Sequence, residues 1–128
     1  MLPLFHLIVG LVAAAGLYNE LGAVVLLIVA VSVLIDVDHY IYYFRRTGDV
    51  NIRSAYDYFL NLYNASDVFL AFHNIEVLVV FYALSFYSTV AVAIFIGLAL
   101  HVLFDLVGEV FYKNTGRNFS LVLYLIKK

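Results

Sequence analysis

The chain has 128 residues, of which 66% are hydrophobic and 12% are charged, and its mean hydropathy is +1.02. A soluble domain carries about 25% charged and about 45–50% apolar residues, so this composition excludes burial of all the apolar surface in one small core and predicts contact with lipid. The net charge of −2 gives no electrostatic basis for binding nucleic acid. The absence of cysteine excludes disulfides, thiolate catalysis and cysteine-based zinc sites.

The apolar residues fall into successive segments that are long enough to be membrane-spanning helices, which need about 20 apolar residues each. No Lys or Arg precedes the first segment, so it is expected to be a retained helix and not a signal peptide. The second segment gains length from the aromatic run 40–44, which suits the headgroup level. Tight turns are expected at Asn19-Glu20 and at 85–89. The predicted spans are about 2–18, 21–43, 68–86 and 89–112.

The seven basic residues lie on one side of these predicted spans. Those between the second and third spans are Arg45, Arg46 and Arg53, and those after the fourth are Lys113, Arg117, Lys127 and Lys128. The positive-inside rule makes that side cytoplasmic, so the sequence predicts a multi-pass protein of the cell (inner) membrane with both termini in the cytoplasm.

The connection between the second and third spans carries apolar residues at roughly helical spacing among polar ones, over 51–66. This pattern is typical of an amphipathic helix that lies in the plane of the membrane interface. The predicted fold is therefore all-α: a single transmembrane domain over 1–128, formed by a four-helix bundle of two transmembrane hairpins with an interfacial helix between helices 2 and 3.

Ionisable residues inside membrane spans are costly and usually functional. In this chain they are His6, Asp36, Asp38, His39, His73, Glu76, His101, Asp105 and Glu109. Counting from the two outer turns at about 1.5 Å per residue places one member from each helix roughly 20–24 Å from the outer face: His6, Asp36, His73 and His101. All four helices therefore contribute imidazoles or carboxylates to one layer in the cytoplasmic half of the membrane.

Imidazole and carboxylate groups are the ligands of zinc, manganese and iron, and a catalytic site keeps one coordination position open. We therefore predict a divalent metal centre of one or two ions, with zinc as the first choice. Its predicted ligands are His6, Asp36, Asp38, His39, His73, His101 and Asp105. Glu76 and Asp38 are the candidate catalytic carboxylates, with Glu76 as a base or an outer partner of a ligand.

Other interpretations of the same residues remain open. Each histidine or carboxylate alone is explained by a tolerated polar side chain, a helix end that meets water, or a contact within the bundle. A proton relay or an ion pathway would also use carboxylate–histidine chains, although the outer halves of the four segments contain no ionisable residue. A ferritin-like di-iron centre would need Glu-x-x-His on two helices, whereas this chain has the reverse order once, from His73 to Glu76.

Four motifs together resemble the membrane-bound metal-dependent hydrolase family, also described as inner-membrane-associated putative hydrolases. They are His6-x-x-x-Gly10, Asp36-Val37-Asp38-His39, His73, and His101-x-x-x-Asp105. The resemblance implies that the seven predicted ligands are metal-site positions. Where many members carry a longer H-R-G-x-T-H-S-like element, this chain has His73-Asn74-Ile75-Glu76, which lacks the arginine and the second histidine.

Residues and resemblance together predict a membrane-embedded metal-dependent hydrolase. Its substrate is expected to be a phosphoester of a lipid or lipid-linked molecule that reaches the site from the bilayer at the cytoplasmic leaflet. The alternative is a non-catalytic membrane protein that binds metal or transports ions or protons.

Overall fold

The computed structural model describes residues 3–61, 70–112 and 120–126, and these residues form helices and no strands. The all-α prediction is therefore confirmed over the described ranges. In chain order the helices are α1 (Pro3–Leu21), α2 (Leu26–Leu34), α3 (Val37–Thr47), α4 (Ile52–Leu60), α5 (Ile75–Ser85), α6 (Thr89–Tyr112) and α7 (Leu121–Ile126). Short 3₁₀ turns at Gly22–Val25 and Ala71–His73 precede α2 and α5.

The sequence predicted the first turn at Asn19-Glu20, but the structure places it at Gly22. Asn19 and Glu20 continue α1, whereas Gly22 has φ +58°. Only glycine takes this left-handed conformation without steric cost, so the chain can reverse here. Polarity alone therefore misplaced the turn by two or three residues.

The second predicted span is helical but interrupted between α2 and α3, at Ile35 and Asp36. Two backbone bonds at this break are of the tighter i→i−3 kind: Asp38 N–H donates to the Ile35 carbonyl at 3.4 Å and His39 N–H to the Asp36 carbonyl at 3.1 Å. Helix α3 then ends at Gly48, whose φ is +73° and whose N–H donates to the Phe44 carbonyl at 2.8 Å. The break lies at the acidic motif itself.

Helix α4 occupies the described part of the segment 51–66, and its position in the membrane interface stays a prediction. Asn51 caps it, because its side-chain oxygen accepts bonds from the N–H groups of Arg53 and Ser54. Ala55 is buried, whereas Ile52 and Tyr56 are exposed. The remainder of the segment beyond Asn61 lies outside the described residues.

The third helix begins later than predicted, at Ile75 instead of 68. Residues 68 and 69 lie outside the described residues, and those from Leu70 to Asn74 are extended or form a 3₁₀ turn. The Asn74 side chain donates to the carbonyls of Leu70 (2.9 Å) and Ala71 (3.1 Å), which holds this turn in place of a helix. The resulting α5 has 11 residues and is therefore about 16 Å long.

Helices α1, α2 and α6 pack around an apolar layer formed by the buried residues Ala14, Val25, Ile28 and Ala93. On α1 and α6 a polar member of the site lies eight residues away from this layer, His6 from Ala14 and His101 from Ala93, and Asp36 follows the end of α2, eight residues after Ile28. Eight residues correspond to about 12 Å along a helix. The structure therefore has two layers, one apolar and one polar, at different heights on the same three helices.

Two helical stretches are long and apolar enough to cross a membrane: Leu4–Thr47, which includes the reversal at Gly22, and Thr89–Gly108. Helix α5 is apolar but shorter. Large apolar side chains on the outer surface are widely exposed, including Val12, Leu26 and Val79. An apolar exterior of this kind agrees with the contact with lipid that the composition predicts.

Candidate metal centre

The polar layer brings together all seven predicted ligands. They come from α1 (His6), the α2–α3 break (Asp36), the start of α3 (Asp38 and His39), the 3₁₀ turn before α5 (His73) and α6 (His101 and Asp105). Five are buried: His6, Asp38, His73, His101 and Asp105. The side chains of Asp36 and His39 are 24% and 13% exposed, so the cluster is most accessible there.

Four donor atoms form the centre of the cluster, and such a group could hold a metal ion. Nε2 of His73 and Nε2 of His101 are 3.0 Å apart. Oδ2 of Asp105 lies 3.5 Å from the first nitrogen and 3.6 Å from the second. Oδ1 of Asp36 lies 3.4 Å from His101 Nε2 and 3.9 Å from His73 Nε2.

These separations can be compared with the shell of a tetrahedral zinc ion. Ligand distances of about 2.0–2.1 Å require neighbouring donor atoms about 3.3–3.4 Å apart. The five measured separations run from 3.0 to 3.9 Å and bracket that value. The four donors are therefore spaced as a two-histidine, two-aspartate shell would need.

The hydrogen bonds on the far side of each imidazole determine which nitrogen carries hydrogen. Nδ1 of His101 lies 2.7 Å from the Ser32 carbonyl, which can only accept, so this nitrogen donates. Nδ1 of His73 lies 3.0 Å from Oδ2 of Asp38, which also accepts the N–H of Phe72 at 3.0 Å. In the neutral rings both Nε2 atoms are then lone-pair donors, and they face each other at 3.0 Å.

Two lone pairs at this distance repel each other unless a proton or a cation lies between them. The carboxylates of Asp36 and Asp105 supply negative charge around the same point. Oδ2 of Asp36 is buried without a hydrogen-bond partner among the described residues, and such an atom is costly unless it is paired or coordinates an ion. The donor set therefore fits a divalent cation.

Asp38, His39 and His73 form a second group whose donor atoms lie close together. Nδ1 of His39 is 3.2 Å from Oδ1 of Asp38 and 3.4 Å from Oδ1 of Asp36. The Asp38 carboxylate already binds His73 and the backbone of Phe72, so in this geometry it orients a ligand. A catalytic role for Asp38 stays a prediction from the sequence.

His6 lies beside the four central donors. Its ring stacks on that of His101 with centroids 4.0 Å apart, and its Nε2 is 3.3 Å from Oδ1 of Asp105. The two oxygens of Asp105 thus face different histidines: Oδ1 faces His6 and Oδ2 faces His73 and His101. Asp105 is the carboxylate through which helices α1 and α6 and the turn before α5 meet.

Glu76, the second candidate catalytic carboxylate, is bound elsewhere. Oε1 accepts from the Ser120 hydroxyl at 2.6 Å and from Val122 N–H at 3.2 Å, and Oε2 accepts from Leu121 N–H at 3.0 Å. It therefore caps the first turn of α7, and this engagement does not favour a role as general base. Helix α6 includes Glu109, whose side chain lies outside the described residues.

Two residues that the sequence reasoning overlooked bring the ligands together. Ser32, on α2, contributes the carbonyl that binds His101. Gly97, one turn before His101, lies so close to α2 that an added Cβ would be 2.9 Å from the Ile28 carbonyl oxygen. Small residues permit such close approach between membrane helices. The signal available in the sequence was a glycine one turn from a histidine: Gly97 precedes His101 by four residues, and Gly10 follows His6 by four residues.

No family model, curated protein or solved structure was found to match this chain.

Proposed function

We propose that this chain is a membrane-embedded metal-dependent hydrolase. One divalent ion, zinc as first choice, is held by His73, His101, Asp105 and Asp36. The observation that supports a bound metal ion is the pair of facing Nε2 atoms of His73 and His101 at 3.0 Å. Each lies on a ring whose other nitrogen already donates a hydrogen bond. Manganese or iron would accept the same donor types.

A proton relay is the main rival, because a proton between the two nitrogens would also relieve their repulsion. Two carboxylates converge on the same point from different helices, which gives the site up to two negative charges. One shared proton compensates less of this charge than a divalent ion does. The ion is therefore the better match to the whole donor set.

Within this proposal the chain's own groups have separate tasks. Asp38 orients His73, and the Ser32 carbonyl orients His101. Asp36 and His39 are the most accessible members, so substrate approaches from their side. A bound divalent cation supplies Lewis acidity toward a phosphoryl or carbonyl oxygen.

The substrate class in the proposal is a phosphoester of a lipid or lipid-linked molecule. Its support is the position of the site: a buried polar layer on apolar helices, beside α3 and α4, whose exposed residues combine aromatic and basic side chains. Four spans with both termini in the cytoplasm complete the proposal, based on the basic residues that follow the second and fourth apolar segments. With this topology, the lipid substrate would reach the site from the cytoplasmic leaflet.

The second candidate is a non-catalytic ion that holds the helices together. Its specific support is that four protein donors already complete a tetrahedral shell, as in structural sites, whereas catalytic zinc keeps one position for water or substrate. Asp36 distinguishes the two candidates, because it is the most exposed of the four donors. A catalytic site would give its position to water or substrate, whereas a structural site would keep it as a ligand.

The test is hydrolysis by purified protein in detergent, loaded with zinc or manganese, of a panel of phospholipids, soluble phosphodiesters and esters. We expect turnover by the wild type, loss of turnover in Asp105→Asn, and unchanged turnover in Asp57→Asn, which alters an exposed acid on α4. A metal-loaded wild type that hydrolyses nothing in the panel would reject the hydrolase and leave the structural ion.

A further inference from the structure

Ser32 lies where α1, α2 and α6 meet, and it is 1% exposed. Its hydroxyl donates to the Val29 carbonyl at 3.0 Å and lies 3.3 Å from the His6 carbonyl. Its own carbonyl accepts the Nδ1 hydrogen of His101 at 2.7 Å. One residue on α2 therefore contacts both of the helices that carry a buried histidine.

The Ser32 carbonyl is available because α2 ends early. In an uninterrupted α-helix this carbonyl would accept the N–H of Asp36, four residues on. Helix α2 stops at Leu34, and the break continues with i→i−3 bonds. The carbonyl is thus turned to a side-chain donor on α6, and the interruption that places Asp36 in the cluster also orients His101.

Gly10 sets how closely Ser32 can lie to α1. A Cβ added at Gly10 would be 2.4 Å from Oγ of Ser32 and 3.2 Å from Cα of Val29. The first distance is shorter than any van der Waals contact, so a side chain at this position would displace the Ser32 hydroxyl, and the second would push the α2 backbone away by a few tenths of an ångström. On the same helix, a Cβ added at Gly16 would meet nothing within 4 Å.

We propose that Ser32 is a positioning residue of the metal centre. Its carbonyl keeps hydrogen on Nδ1 of His101 and so directs Nε2 at the other donors, and its contact with Gly10 fixes where that carbonyl lies. The inference rests on the proposed function only in taking His101 Nε2 as a metal donor. The tautomer itself is a property of the chain and is measurable without metal.

The first experiment measures Zn²⁺ affinity and the visible absorption of Co²⁺-loaded protein in detergent, for Gly10→Ala, the double variant Gly10→Ala/Ser32→Ala, and Gly16→Ala. Gly10→Ala should weaken zinc binding about 10- to 100-fold, the loss typical when a partner that orients a ligand is removed. The double variant removes the clashing hydroxyl but keeps the backbone carbonyl, so it should regain most of the affinity and the wild-type cobalt spectrum. Gly16→Ala should match the wild type.

Wild-type affinity in Gly10→Ala would overturn the proposal, and so would a folded double variant that recovers nothing. A second measurement on the wild type applies if Gly10→Ala does not fold or if no metal binds. Nitrogen-15 NMR of labelled histidines, assigned by comparison with His101→Gln, should show His101 with hydrogen on Nδ1. Hydrogen on Nε2 of His101, with Nδ1 bare, would contradict the proposal directly, whether or not the protein hydrolyses anything.

Discussion

The apolar layer and the polar layer lie on the same three helices but are held together by different means. Ala14, Ile28 and Ala93 meet through shape alone, and Ile28 is completely buried. His6 and His101 lie two turns from the apolar layer on α1 and α6, and their rings stack among ionisable groups. These groups stabilise each other only if opposite charges face each other and each hydrogen faces an acceptor. Packing therefore fixes the helices, and the same packing brings charged ligands together at a cost which an ion can offset.

The largest expected effect on folding stability comes from truncating a buried side chain of the apolar layer. Ile28→Ala should lower the free energy of unfolding by about 2–5 kcal/mol, because the side chain is fully buried and its neighbours cannot collapse completely into the space. Unfolding by a denaturing detergent measures the loss. Metal affinity of the folded protein should stay at the wild-type value, and a large drop in that affinity would show that the layers are not separable.

Metal removal should act on the polar layer. An ion at a free concentration of 100 times its dissociation constant stabilises the native state by about 2.7 kcal/mol, so chelation should lower the melting temperature. Chelation should lower the melting temperature of Ile28→Ala by the same amount as that of the wild type. A melting curve that does not move after verified removal of metal would argue that the buried acids and histidines satisfy each other without an ion.

Gly97→Ala should disturb both layers, since an added Cβ would lie 2.9 Å from the Ile28 carbonyl oxygen and 3.0 Å from Cβ of Val31. We expect a loss of about 1–3 kcal/mol, the usual cost of overpacking, together with weaker metal binding because α6 carries His101. Gly16→Ala is the matched control. A variant that loses stability but binds metal normally would show that α6 shifts without moving its histidine.

The smallest effect is expected outside both layers, at the end of α3. Gly48 has φ +73°, and a side chain there should cost about 1–2 kcal/mol for the left-handed conformation. Gly48→Ala should leave metal affinity unchanged. The loop after it contains Asp49, whose pKa is held below its usual value by hydrogen bonds from the Tyr43 hydroxyl and the Asn51 N–H. Neither of these partners belongs to the metal centre.

Much of the polar layer was predictable, because hydropathy locates the helices and counting residues from a turn gives depth. The count tolerated the wrong turn position, since Gly22 lies only a few residues from Asn19-Glu20. The contribution of Ser32 was not predictable, because it depends on a carbonyl released by the helix break and on which helix faces meet. Glu76 shared a helical spacing with His73, yet its carboxylate caps α7, whose first residue, Leu121, lies 45 residues further along the chain.

The start of α5 shows a similar limit. The apolar run from 68 reads as one helix, but the Asn74 side chain donates to the Leu70 carbonyl and the His73 ring contacts Asp38. A local bond of Asn74 and a tertiary contact of His73 therefore accompany the loss of helical periodicity there. The same contacts place His73 at the centre of the cluster, so the departure from prediction and the site have one cause.

Elemental analysis of the purified wild-type protein beside Asp105→Asn, with anomalous scattering to locate any ion, tests whether the polar layer is a metal centre. Asp105 contacts three histidines at 3.3–3.6 Å, so its carboxylate is the member whose charge the site can least replace. We expect about one divalent ion per wild-type chain, beside Nε2 of His73 and Nε2 of His101, and little or none in Asp105→Asn. Metal-free wild-type protein after incubation with zinc, manganese and iron, or an ion bound equally by Asp105→Asn, would contradict it.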